Sequence, residues 1–561
     1  MWRLVTFIST LVVSILVSNV NAFRNPIIPG FNPDPSIIRV ENDYFLVTST
    51  FEFFPGVPVY HSKDLIDWTC IGHALNRPSQ LNMRGTAPSG GIFAPTLRYH
   101  EASKTYYMIT TWFDVISPPD NTTGTPRSMY VSTKNIMDEN SWSDPIYVDQ
   151  WGFDPDLFFD TDGKTYLTAT MGSGFIDPDS GYFAIWITEI DLKTGNSLSE
   201  SRYFYRSELP INTPRLAEGS HIYKFNGTYY LLTAEAGTEV QHRAMWHRSN
   251  SLHGPWESSP YNPFVFNGRN LSQPILSTGH ADIVQTPNGD WYAVFLATRP
   301  QNPTNSSGVP QLGRETFLAP VTWKDGWPIA NGGKDITFEI PGLYNKPRPK
   351  VWQDHFWNGE YNGFADRRYY TQRTPTKVFH SFTARRGWLR LYGNVYTPSD
   401  RQTPAMFLRK QEDINTVFNT ELEFYPTNAR HKAGVTAFLS TWIHQDIVIT
   451  LHPQTGKRVV AATTRTGKEP VAKTTYVEIP ETGTVKLWIK CEADKYTLGY
   501  SLGHDRKATW VASAESKWMQ SYPSGWQNFV GTHLGVYATG DGLPILVPAD
   551  FKWIKTEGGD W

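Results

Sequence analysis

Apolar and polar residues alternate in short stretches along the chain, turn residues separate the stretches, and helical periodicity is weak throughout. This pattern predicts an all-β protein. One unit recurs five times: a short apolar strand, a polar turn, then an aromatic-rich strand. The aromatic strands centre on Phe45, Tyr107, Tyr166, Tyr230 and Tyr292, a step of about 60 residues. The strands before them fall at 35–38, 95–98, 155–158, 220–223 and 281–284, and turns such as Asp162-Gly163, Asn226-Gly227 and Asn288-Gly289 carry hairpin chemistry. A unit of this length holds about four strands, and five such blades close a ring without open sheet edges. The expected fold is a five-bladed β-propeller; the competing reading is a β-sandwich with coincidental spacing.

The repeat stops near Pro328, and residues 341–350, with prolines at 341, 347 and 349, read as an extended linker. Beyond them alternating strands around Leu389, Val435, Trp488 and Val536 predict a second β domain, a two-sheet sandwich of jelly-roll or concanavalin-like build. The expected organisation is a leader at 1–22, the propeller at 23–340, the linker at 341–350 and the sandwich at 351–561. The leader follows from Arg3, an apolar run from Leu4 to Val17 and small Ala22, the plan of a secretory signal peptide. The run is shorter than the ~20 apolar residues of a spanning helix. An extracellular protein starting near Phe23 is expected, with glycan acceptor sequons at Asn121, Asn226, Asn270 and Asn305. The two cysteines, Cys70 and Cys491, exclude a disulfide scaffold and a cysteine-based zinc site.

Composition narrows the partners. Lys and Arg total 51 against 53 Asp and Glu, a net charge of −2. Nucleic acids and anionic membranes need clustered positive charge, so neither is an expected partner. Aromatic residues reach 14%, and their flat faces pack in sheets and also stack on sugar rings.

The residues just ahead of the five first strands are Asp34, Ala94, Asp154, Gly219 and His280, with Glu218 beside Gly219. In a propeller the innermost strands surround the axis, so these positions converge. Each acid alone has a plain alternative: Asp34 and Asp154 can bond turn backbone, and Glu218 can be a solvated loop acid. Together they bring three carboxyl groups to one funnel, which points to glycoside hydrolysis. One group would protonate the leaving oxygen, one would activate water or attack carbon, and a third would raise the proton affinity of the acid.

The segments Asn25-Pro26-Ile27-Ile28-Pro29-Gly30-Phe31-Asn32-Pro33-Asp34-Pro35-Ser36, Gly91-Ile92-Phe93-Ala94-Pro95, Phe153-Asp154-Pro155, Glu218-Gly219-Ser220-His221, Gly279-His280-Ala281 and Leu312-Gly313-Arg314-Glu315-Thr316 resemble glycoside hydrolase family 43. The likeness covers essentially the whole chain after the leader, since many β-xylosidases and α-L-arabinofuranosidases of that family also carry a C-terminal sandwich. The resemblance implies an inverting exo-glycosidase with Asp34 as general base, Glu218 as general acid and Asp154 tuning and orienting that acid. Inversion leaves room for a water, so a carboxyl separation of ~6.5–9.5 Å between Asp34 and Glu218 is expected. It further implies that Arg314 binds substrate, that Phe51 and Phe93 wall the sugar pocket, and that His280 lies beneath the site. A structural ion pair is the alternative for Arg314, and a satisfied core histidine for His280. No cofactor is required; in some members the central histidine helps hold a calcium ion. Many relatives have Trp where Phe93 stands, which leaves the sugar preference open. The expected substrates are xylo-oligosaccharides or arabinoxylan fragments cleaved at terminal β-D-xylose, with α-L-arabinofuranosides as second substrates. A dedicated arabinofuranosidase and a non-catalytic glycan-binding propeller are the alternatives. The second domain is expected to lean over the propeller mouth, and residues 529–533 are a candidate contact, with an ordinary core strand as the plainer reading.

Overall fold

The protein was analysed as a computed structural model that describes residues 22–558 except 115–124, 173–181, 301–309, 345–347, 357–365, 468–471, 504, 506 and 520–527. Apart from Ala22, the expected leader lies outside the described residues, as do Asn121 and Asn305; Asn226 and Asn270 are exposed.

Within residues 36–330 the described strands form five four-stranded antiparallel sheets, each built from consecutive strands except that blade one passes over the short strand Phe53–Phe54. The first strands are Ser36–Val40, Gly91–His100, Phe153–Phe159, Ala217–Phe225 and Leu276–Gln285. Each touches the first strand of the next blade, and the fifth touches the first, so they enclose a common axis. Of the predicted turns one takes the full left-handed pair, whereas at Asp162-Gly163 and Asn288-Gly289 only the glycine is left-handed, with φ of 85° and 91°. Asn226 and Gly227 have φ of 50° and 82°, the left-handed pair that a tight hairpin between right-twisted strands requires.

The ring is fastened where its ends meet. Ala22–Arg24 pairs with Glu339–Pro341. The Asn25 side chain donates to the Leu318 carbonyl at 2.9 Å and accepts from the Leu318 N–H at 2.8 Å, binding the N-terminal segment to blade five.

The axis is polar and filled. Arg98 of blade two reaches Asp156 of blade three at 2.8 Å and Asp282 of blade five at 3.0 Å, and its Nη2 lies 2.8 Å from His221 Nδ1 of blade four. Asp282 also accepts from the Ser36 hydroxyl of blade one at 2.8 Å and from Tyr223 at 2.5 Å. One guanidinium thus ties together residues from all five blades, and its charge holds the Asp282 carboxyl ionised against the cost of burial.

The second domain is a sandwich of an eight-stranded and a six-stranded antiparallel sheet. It contains the expected strands Leu389–Leu391, Lys432–Ser440, Val485–Cys491 and His533–Thr539. Its apolar core extends into the propeller: Phe31, Phe51 and Phe53 belong to the same buried cluster as Phe407, Val435 and Leu487. Backbone pairing crosses the boundary as well, Thr371–Gln372 against Phe53–Phe54.

Candidate active site

The five aligned residues share one backbone state. Asp34, Ala94, Asp154, Gly219 and His280 have φ of 54°, 32°, 49°, 54° and 49°. In blades two to five this residue lies inside the first strand, at a slip in its pairing with the second, and not ahead of the strand as the repeat alignment placed it. A bulge breaks the alternation of side chains and re-aims one of them. Pro95 and Pro155, next in line, suit such a place because they have no N–H for the ladder. A left-handed non-glycine residue costs about 1–3 kcal/mol, and such strain clusters at functional sites. Gly219 is glycine of necessity, since a Cβ there would sit 2.9 Å from His280 Nε2.

The predicted residues meet. Asp34 is buried; its Oδ2 accepts from the Ser49 hydroxyl at 2.6 Å and its Oδ1 from Arg314 Nη1 at 3.1 Å, while His280 Nδ1 lies 3.7 Å from the same Oδ1. Burial would raise the Asp34 pKa, but Arg314, His280, the Ser49 hydrogen bond and His242 outweigh it and hold the carboxyl below its ordinary value. Asp154 and Glu218 go the other way. Burial first, then the charges of Glu218 and Asp34, push the Asp154 pKa well up. Burial and the Asp34 charge push Glu218 up, with Arg314 opposing only in part. Glu218 is half-buried and Asp154 fully so. The site thus favours the ionised form of Asp34 and the protonated forms of Asp154 and Glu218, through burial first and like-charge repulsion second.

Aromatic rings wall the site. Phe51 and Phe93 lie 4.5 Å apart between ring centres, and Phe51 also stacks on Phe529 of the second domain at 5.7 Å. The Arg314 guanidinium sits 5.5 Å from the Phe51 ring and 5.3 Å from that of Phe529, and its Nη2 donates to the Phe529 carbonyl at 3.4 Å. Arg314 is thus an ion-pair partner and a pocket residue at once. Residues 529–532 are irregular, so the plainer reading of 529–533 as a core strand is corrected. Phe529 turns to the pocket while His533, where a strand starts, stacks on Phe53 at 3.9 Å.

Sequence reasoning missed three members. Ser49 bonds Asp34 and accepts the Ala94 N–H at 2.7 Å. Thr238 accepts from Arg314 at 3.2 Å, and His242, bonded to the Ser277 carbonyl at 3.2 Å, adds to the field on Asp34. Only Ser49 carried a signal, as the residue at the inner end of the second strand in blade one.

The two acids on the axis, Asp156 and Asp282, are not free to ligate a calcium ion. Such an ion takes about 6–8 oxygen ligands, whereas the carboxylates on the axis are engaged by Arg98, a permanent cation. Among the described residues no group of three or more His, Cys, Asp and Glu is arranged to hold a metal.

Acids of opposed proton affinity facing an aromatic wall suit acid–base cleavage of a sugar acetal, and on a five-bladed propeller they define a class, the propeller glycoside hydrolases. Comparison with known proteins agrees. Residues 23–328 match the glycosyl hydrolases family 43 model, and residues 353–557 match the beta xylosidase C-terminal concanavalin A-like domain. A non-reducing end alpha-L-arabinofuranosidase of Bacteroides ovatus is 37% identical over 95% of this chain and 94% of its own length. A beta-xylosidase of Bacillus subtilis is 33% identical over 95% and 98%. The crystal structure of a xylan beta-1,4-xylosidase from Bacillus halodurans superposes with a TM-score of 0.85 at 30% identity, covering 95% of this chain and all of that one. The chain belongs to glycoside hydrolase family 43 and is a hydrolase of glycosidic bonds.

Proposed function

We propose that the protein is an exported exo-glycosidase that removes terminal β-D-xylosyl residues from xylo-oligosaccharides, accepts α-L-arabinofuranosides as well, and inverts the anomeric centre. The reading rests on the opposed proton affinities of Asp34 and Glu218. Asp34, ionised by its partners, takes a proton from the attacking water. Glu218, kept protonated by burial and the Asp34 charge, gives its proton to the leaving oxygen. Asp154, beside them, orients Glu218 and tunes its proton affinity. Phe529 and Arg314 support exo action, since a ring and carbonyl from the second domain cover one side of the pocket. The apolar leader and the exposed sequons at Asn226 and Asn270 support export.

Proton NMR of the first-formed sugar tests the mechanism: inversion is expected, and retention would refute Asp34 as base. Glu218→Ala should lower turnover by orders of magnitude on alkyl xylosides and much less on substrates with acidic phenol leaving groups, which need little protonation. A dedicated α-L-arabinofuranosidase is the second reading, favoured by the 37% identical relative of that name. Initial rates on matched aryl β-D-xylosides and α-L-arabinofuranosides separate the two.

A further inference from the structure

The six-stranded sheet of the second domain has one face that is polar and hollow. On strand Ile443–Leu451, His444, Asp446 and Thr450 alternate with the core residues Ile443, Ile447 and Ile449. With neighbours on adjacent strands and the turn at 397–399 they line a cavity of about 340 Å³, within the range of roughly 300–1,000 Å³ usual for small-molecule sites.

Its floor is ordered by hydrogen bonds. Ser399 Oγ lies 2.9 Å from His444 Nε2, and His444 Nδ1 lies 2.7 Å from Asp446 Oδ2. His444 and Asp446 are buried, and the Tyr537 hydroxyl of the same cavity interacts with the Asp446 side chain. The row has the order of a hydrolytic triad, but the Ser399 N–H that could steady an oxyanion is bonded to the Thr397 hydroxyl at 3.2 Å. The row fixes donors and acceptors in place. Across the next two strands the hydroxyls of Thr463 and Thr474 pair at 3.0 Å.

The chemistry of the lining selects the ligand. Two cations, Lys432 and Arg465, face two acids, Asp446 and Asp541, so formal charge cancels and an anionic ligand gains nothing. Hydroxyl groups, which both donate and accept, match a polyol. At the rim Tyr476 is 40% exposed, and His452 packs edge-on against its ring at 5.0 Å, which leaves a held, flat apolar surface of the kind that sugar rings stack on.

We propose that this cavity binds a short stretch of a neutral glycan chain, as a site separate from the propeller pocket. Affinity electrophoresis of the full chain through gels containing arabinoxylan, xyloglucan or polygalacturonate tests it; only the choice of arabinoxylan rests on the proposed function. One of the two neutral polymers should retard the protein. Tyr476→Ala should weaken that retardation about threefold to tenfold, the scale of one aromatic contact, and Thr463→Val should weaken it too. Both variants should hydrolyse a small aryl glycoside at the wild-type rate, which also reports that they fold. Glu218→Gln should be retarded like the wild type, so a failure of the catalytic reading leaves this result standing. Retardation by polygalacturonate alone, by no polymer, or unchanged in both Tyr476→Ala and Thr463→Val would overturn the proposal.

Discussion

Arg98→Met would replace the cation on the propeller axis with an apolar chain of similar length. The wild-type guanidinium contacts Asp156 at 2.8 Å and Asp282 at 3.0 Å, and the two acids are 1% and 0% exposed. Removing one partner of a buried pair costs about 3–5 kcal/mol because the other charge is left without compensation. Here two carboxylates lose the same partner, so the upper part of that range is expected, a large share of a typical domain stability of 5–15 kcal/mol. The sign of the pH dependence follows from Asp282, whose folded pKa is held down by Arg98. A depressed carboxylate contributes stability above its unfolded pKa and loses it as pH falls through the folded one. The wild type keeps that contribution down to about pH 4, whereas in the variant burial without the cation raises the Asp282 carboxyl above its ordinary value; protonating it relieves the variant as pH falls from 7 to 4, so the deficit should be full at neutral pH and shrink in acid. Urea unfolding followed by tryptophan fluorescence at pH 7 and pH 4 measures both quantities. A deficit below about 1 kcal/mol at pH 7, the worth of a surface pair, or one unchanged at pH 4, would refute the role of Arg98 as the pin of the ring. EDTA should leave the wild-type transition where it is.

Arg314→Met should move the acid limb of the kcat/KM profile to higher pH, because Asp34 loses the cation that holds it ionised; the basic limb should rise as well, since Arg314 also opposes protonation of Glu218. Gly531→Ala would place a Cβ 2.4 Å from the Leu312 carbonyl; displacing the loop that carries Arg314 should raise KM and cost about 1–3 kcal/mol, as overpacking does, both readable from kinetics and unfolding curves. Lys410 of the second domain donates to Asn32 at 2.8 Å, and desolvation brings its amine down to about 7. An amine whose folded pKa is depressed makes stability rise with pH between the folded and unfolded values, so melting temperature should climb from pH 7 to 9 in the wild type and climb less in Lys410→Met.

The blades were legible because each repeats an aromatic strand after a hairpin turn, and such local signals do not depend on tertiary context. Aligning the repeats also brought Asp34, Asp154 and Glu218 to one rim, since equivalent positions in a ring must converge. The bulges were not legible: Ala94 and His280 give no sign that their backbone is left-handed. Arg98 reads as one polar position in an alternating strand, and only closure of the ring turns it inward. Phe529 is separated by more than 400 residues from the Phe51 ring that it covers, and no short-range pattern encodes such a contact.

Phe31, Phe51 and Phe53 belong to the apolar cluster of the sandwich, so the two folding units have no clean seam. A chain cut at 341–350 would present those rings to water, and its catalytic half would have lost the Phe529 side of its own cleft. In any recombination of modules the pair must travel as a single cassette, and the C-terminal half is as much a part of the enzyme as the half that bears the acids.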